Sequence, residues 1–146
     1  MKLNDKQKHQ LETLLQNLKH KKLRKLLKRA IPIWEKEGYS TGTWGTKLKE
    51  GFLVRLKPRE RWPDKEGCCL IGASTLGLES KITNYSAQFN AAESISEIIV
   101  FEYRLIQDVF DDGLNSSLYD LHKPSLTESN RLLVEEICKI REILGL

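Results

Sequence analysis

Histidine, methionine and cysteine are all scarce in this chain, at three, one and three among 146 residues. His9, His20 and His122 carry no flanking pattern of a metal ligand or a general base. Cys68 and Cys69 are adjacent and Cys138 stands alone, whereas a structural zinc pair needs about two to four intervening residues. The same spacing excludes a disulfide framework and agrees with a reducing compartment, the cytoplasm or the interior of a host cell. Long apolar runs are missing too. None is longer than Ile98 to Phe101, which is far too short to cross a bilayer, so no transmembrane segment is expected. The opening stretch MKLNDKQKHQ has no apolar signal core, so secretion is not indicated and the sequons at Asn84 and Asn115 carry no weight. No cofactor motif is present, and no cofactor is expected.

What the chain does have is charge, unevenly placed. Residues 1–61 hold 17 Lys/Arg against 6 Asp/Glu, or +11, and residues 62–146 hold 7 against 14, or −7, within a net +4. Such polarity can draw an anionic partner to one half, be neutralised by folding of the halves onto each other, or drive head-to-tail self-association into a homo-oligomer.

Apolar residues at 40% and charged residues at 30% describe a globular chain, and the length suits a single domain spanning 1–146. It divides into a basic helical region (1–37), a glycine- and aromatic-rich region (38–63) and a helical remainder (64–146). Leu11, Leu14, Leu15 and Leu18 form one apolar stripe. Leu23, Leu26, Leu27, Ala30 and Trp34 form another, rotated from the first, so two helices or one bent helix are expected, over 4–20 and 21–31. Pro32 predicts a break before a short piece to Glu37, closed by Gly38. Phe52, Val54 and Leu56 alternate with Arg55 and Lys57, which predicts a strand of a short β-hairpin around 40–60. Asp64 is placed to cap a helix from about Lys65, 78–90 reads as loop with a single turn, and Ser94 to Glu97 caps a helix over 94–111 that Gly113 stops. Ser125 to Glu128 is a capping box for the last helix. The fold class that follows is mainly α, four to six helices around one core with a short hairpin.

KHKKLRKLLKR, residues 19–29, concentrates the charge. Lys21, Arg24, Lys25 and Lys28 recur at helical spacing opposite the leucines, with Arg29 at the edge. A second strip, Arg55, Lys57, Arg59 and Arg61, ends beside Trp62. Cations can neutralise phosphates and an adjacent aromatic can stack on a base, so nucleic acid suits this set; an acidic protein surface suits it as well. Against both stands the ordinary reading of a lysine-rich helix as a solvated face whose long stems shield the leucines. A membrane-surface helix fits less well, because its apolar side has no aromatic before Trp34.

GCCLIGASTLG, residues 67–77, has the interval of a phosphate loop between Gly72 and Gly77. Leu78 and Glu79, however, stand where a lysine and a hydroxyl are required. Its small residues read as a tightly packed buried helix. With FN at 89–90 and ISEIIVFEYRLIQDVF at 95–110, CCLIG at 68–72 resembles a set of uncharacterised small phage and bacterial proteins that place Cys-Cys-Leu-x-Gly on a buried helix. The resemblance covers under a third of the chain and brings no known activity; it implies structural cysteines. Asp108, Asp111 and Asp112 fall at a helix C-terminus, where negative charge opposes the macrodipole; Arg104, a lysine of the basic half or a divalent ion could offset it, but the spacing departs from the calcium-loop pattern, so the three read as acidic residues capping a turn and no metal is expected. Three function classes therefore stand: a non-enzymatic interaction or regulatory protein using Lys21, Arg24, Lys25, Lys28, Arg29, Arg55, Lys57, Arg59, Arg61 and Trp62 on an anionic partner; a small enzyme or ligand-binding domain with a pocket near Cys68, Cys69, Asp108, Asp111 and Asp112; and a homo-oligomeric structural protein in which the basic half of one chain meets the acidic half of the next.

Overall fold

The computed structural model describes residues 1–41, 46–49, 52–55, 67–76 and 85–146, with side chains at 1–41, 67–76 and 88–146. The fold is mainly α. Among the described residues seven α-helices follow one another: α1 (Asp5–Asn17), α2 (Lys21–Glu37), α3 (Leu70–Thr75), α4 (Tyr85–Ser96), α5 (Val100–Asp112), α6 (Ser117–His122) and α7 (Glu128–Leu144). Two of them, α3 and α6, are six-residue pieces, which is why the number exceeds the four to six expected. Strands β1 (Thr46–Lys49) and β2 (Phe52–Arg55) pair antiparallel, Thr46 with Arg55 and Lys49 with Phe52, within the span where a hairpin is expected. No helix among the described residues is long and apolar enough to cross a membrane.

The rotated leucine stripes are a true helix boundary. Asn4 and Gln7 close α1 reciprocally at its start, and the chain leaves helical geometry between Asn17 and Lys21. Helix α2 then buries Leu23, Leu26, Leu27, Ala30, Ile31 and Trp34. Trp34 is fully buried, stacked on Phe110 of α5 at 5.8 Å between centroids, and its indole N–H donates to the Cys68 carbonyl at 2.9 Å. That anchoring corrects the expectation at Pro32. The helix runs through the proline to Glu37 because Ile31 and Trp34, either side of it, belong to one buried face, while Pro32 itself is exposed. Gly38 closes the helix at φ +90, donating to the Trp34 carbonyl.

The segment before α3 also departs from expectation. Gly67 to Cys69 is extended rather than helical, and Cys68 makes a parallel bridge to Tyr39, donating to the Gly38 carbonyl at 3.1 Å and accepting from Ser40 N–H at 3.2 Å. A Cβ on Gly67 would lie 2.4 Å from the Gly38 carbonyl carbon and the Tyr39 nitrogen, so only glycine allows the approach. Helix α3 starts at Leu70 with Cys69 as its cap, Sγ accepting from Gly72 N–H at 3.3 Å; Asp64 and Lys65, assigned as cap and helix start, lie outside the described residues.

Three further boundaries move. Residues 85–90, read as loop, begin α4. Ser94 and Ser96 lie inside that helix instead of capping the next; the turn is made at Glu97, at φ +57, and α5 starts at Val100 with Glu102 accepting from Ile99 N–H at 3.0 Å. The cap of α7 is Thr127, accepting from Asn130 N–H at 3.1 Å. Ser125 is held in a 3-10 turn, Lys123–Ser125, donating to the His122 carbonyl. At the far end of α5, Gly113 stops the helix at φ +63, as expected.

Candidate functional site

Helix α2 begins with an electrostatic problem of its own making. A helix N-terminus carries partial positive charge, yet the first turns of α2 hold Lys21, Lys22, Arg24 and Lys25 and no acidic residue. The missing negative charge comes from the acidic half of the chain. Glu136 of α7, 3% exposed, accepts from Lys19 N–H and His20 N–H, each at 2.9 Å, so one buried carboxylate holds the two amides that lead into the helix. Glu102 of α5, also buried, accepts from Lys22 Nζ at 2.7 Å. His20 completes the cap: its Nδ1 accepts from Leu23 N–H at 3.3 Å, and its Nε2 lies 3.9 Å from Glu102. Between described residues, Lys22–Glu102 is the one Lys/Arg–carboxylate pair that joins the two oppositely charged halves. Burial pushes the His20 imidazole below its ordinary value, with the two glutamates acting in the opposite sense.

On the outer face of α2, Lys21, Lys25 and Lys28 are exposed and make no ion pair with a described residue. The two arginines behave differently. Arg24 turns back to the Leu18 carbonyl, the C-cap of α1, through both Nε at 3.1 Å and Nη2. Arg29 Nε donates to the Ser74 carbonyl in α3 at 3.0 Å. Both guanidinium groups thus meet carbonyls at helix C-termini, where a cation is favoured, and tie α2 to its neighbours. Of the sequence-derived set, three lysines share an open face and two arginines serve packing. Arg55 lies in β2 with its side chain outside the described residues, as are Lys57, Arg59, Arg61 and Trp62 altogether.

Glu102 and Glu136 were not in the sequence-derived set, although the signal existed. Each interrupts an otherwise apolar face, Glu102 among Tyr103, Leu105 and Ile106, and Glu136 among Leu133, Val134, Ile137 and Ile140. A carboxylate at a core position implies buried donors waiting for it.

The second candidate region comes apart. Burial pushes the Cys68 thiol up, and takes Cys69 up to about 12, with Asp111 reinforcing it. Both are held as thiols and both are buried, the wrong setting for a nucleophile. Asp108 and Asp111 do line a groove of about 710 Å³ between α5 and α6 with Arg104, but neither Cys68 nor Cys69 lines it, and neither does Asp112. Among the described residues, the cation at the C-terminus of α5 is Arg141 of α7, whose Nη1 donates to the Phe110 carbonyl. Asp108 accepts from Leu118 N–H at 2.8 Å and so helps to start α6. Among the described residues, no group of three or more His, Cys, Asp or Glu is arranged to hold a metal ion.

Comparison with protein-family models, with curated proteins and with solved structures finds no match to this chain. The functional reading rests on its own residues.

Proposed function

We propose that this protein is a non-enzymatic binding protein whose α2 face engages the phosphate backbone of nucleic acid. The observation that carries the reading is the row Lys21, Lys25 and Lys28: exposed, on one helical face, and without a carboxylate among the described residues. Seven residues of helix put the row's ends about 10 Å apart, a length over which several backbone phosphates lie. Ammonium groups act there as point charges, suited to contact without base readout. The helix beneath is fixed by Trp34, by Arg24 and Arg29, and by the Glu136 cap, so the row is presented on a rigid support.

Fluorescence anisotropy with labelled single-stranded and duplex oligonucleotides over a salt series tests this. Affinity should fall steeply with salt. Lys21→Glu/Lys25→Glu/Lys28→Glu should weaken binding and make the salt slope shallower by roughly 0.9 for each duplex phosphate that is no longer neutralised. Absence of binding at low salt, or binding that the triple variant leaves unchanged, rejects the reading. Binding of polyglutamate in place of nucleic acid would reassign the face to an acidic protein.

A further inference from the structure

A second groove, of about 730 Å³, lies where residues 19–22, at the start of α2, meet Glu102 of α5 and the first turns of α7. Its lining includes two side chains that are otherwise buried, His20 at 5% exposure and Glu102 at 8%. Each is half satisfied. His20 Nδ1 accepts from Leu23 N–H, so the neutral ring carries its proton on Nε2. Glu102 Oε1 accepts from Lys22 Nζ and from Ile99 N–H. The two remaining atoms, His20 Nε2 and Glu102 Oε2, lie 3.9 Å apart, too far to hydrogen-bond each other. Neither has a hydrogen-bond partner among the described residues.

A buried donor and a buried acceptor, side by side in one groove, suit a single group that accepts from the first and donates to the second. At that separation one oxygen can stand within hydrogen-bond distance of both atoms, and a hydroxyl supplies both functions. A phosphate oxygen would meet repulsion from Glu102. The neighbours decide which hydroxyl. Lys21 lines this groove and is also the first of the row Lys21, Lys25 and Lys28. Lys19, beside it, is exposed and makes no ion pair with a described residue. Glu128 and Glu135 on the α7 wall keep phosphates to the α2 side. A strand whose phosphates follow the row therefore places a sugar over His20 and Glu102. We infer that this pair binds the 2′-hydroxyl of ribose, so that the nucleic acid engaged by α2 is RNA rather than DNA. The 2′-hydroxyl, donor and acceptor at once, is the group that separates the two strands chemically. This inference rests on the nucleic-acid reading of the lysine row and adds to it the class of strand.

Anisotropy titrations of the full chain with adenylate oligomers of one length test it, using ribose, deoxyribose and 2′-fluoro strands. Both ends of each strand are blocked by phosphate or dye, so that no terminal hydroxyl competes. The strands share base and charge, and the 2′-fluoro strand keeps the sugar pucker of RNA without a proton to give. The ribose strand should bind roughly tenfold more tightly than the deoxyribose strand, the worth of one hydrogen bond to a charged group. The 2′-fluoro strand should bind as the deoxyribose strand does. Glu102→Gln, which sets an amide donor opposite His20 Nε2, should bring the ribose-to-deoxyribose ratio toward one, with circular dichroism confirming that the variant folds. If it does not fold, the strand series decides by itself. Equal affinity for ribose and deoxyribose strands overturns the inference and leaves the phosphate contacts of the lysine row standing, whereas no binding to any strand rejects both. A 2′-fluoro strand that binds as tightly as RNA overturns it by showing that strand shape is read instead. A preference for RNA that folded Glu102→Gln retains in full overturns it as well.

Discussion

His20 is buried at 6% exposure, with Glu102 and Glu136 facing it from α5 and α7 and Lys22 from its own helix. Its Nδ1 accepts the Leu23 amide proton, a role open only to a ring nitrogen that carries no proton. Burial lowers its pKa, so the native state holds the neutral form while the unfolded chain takes up a proton around the ordinary value of 6.5. The sign follows. Above that value the two states bind the same number of protons at this site and nothing is lost. As pH falls below it, the unfolded state gains a proton first and stability declines until the native imidazole also protonates. Urea midpoints measured from pH 7 down to pH 5 should therefore fall, and His20→Gln, whose amide oxygen can still accept from Leu23 N–H, should flatten that fall. An unchanged slope in the variant would remove His20 from the account.

Helices show where local preference and burial disagree. Pro32 has no amide proton to give to the carbonyl four residues back, and proline inside a helix costs about 3 kcal/mol. Yet α2 continues, because the next residues to be buried, Trp34 above all, lie on the same stripe as Leu27 and Ile31. A helix kept against local preference should gain when the cause is removed. Pro32→Ala, at an exposed position, is expected to raise unfolding stability by roughly 1–3 kcal/mol, read as a higher urea midpoint with an unchanged slope. A loss of stability would show that the proline fixes the chain direction into Gly38. Caps tell the same story. Ser94, Ser96 and Ser125 all offer good N-cap chemistry to a reader of the sequence, but Ser94 and Ser96 lie inside α4, where Ser96 donates to the Ala92 carbonyl, and Ser125 ends a 3-10 turn and donates to the His122 carbonyl, so the caps fall to Ile99 and Thr127.

Across the whole molecule, two segments far apart in sequence meet backbone to backbone, Gly38–Ser40 against Gly67–Cys68. Gly67→Ala should destabilise the protein by about 1–3 kcal/mol through overpacking at that crossing, since the new methyl would sit 2.4 Å from the Gly38 carbonyl carbon. A wild-type denaturation midpoint in that variant would mean the two segments do not approach as described. The same scale explains how much of the candidate site is legible in sequence. The lysine row is, because helical spacing alone places Lys21, Lys25 and Lys28 opposite the leucines. The destinations of Arg24 and Arg29 are not, since a carbonyl acceptor leaves no mark on sequence. Nor is the cap of α2, whose carboxylate lies 116 residues from the amide of His20 that it accepts. Periodicity reports which face a residue occupies and is silent about what approaches that face.

The amino-acid order by itself settled the mainly helical class, the change of stripe near His20, the stop at Gly38 and Gly113, and the side of α2 on which its charge lies. Each follows from interactions within a few residues: the 3.6-residue period, the backbone freedom of glycine, the mismatch between two leucine stripes. Tertiary packing decided the rest: that α2 passes through Pro32, that Cys69 caps a helix and stays a thiol, and that buried glutamates of the acidic half steady the basic helix. Those outcomes depend on desolvation and on partners brought from distant parts of the chain, and only the folded arrangement determines which buried donor meets which carboxylate.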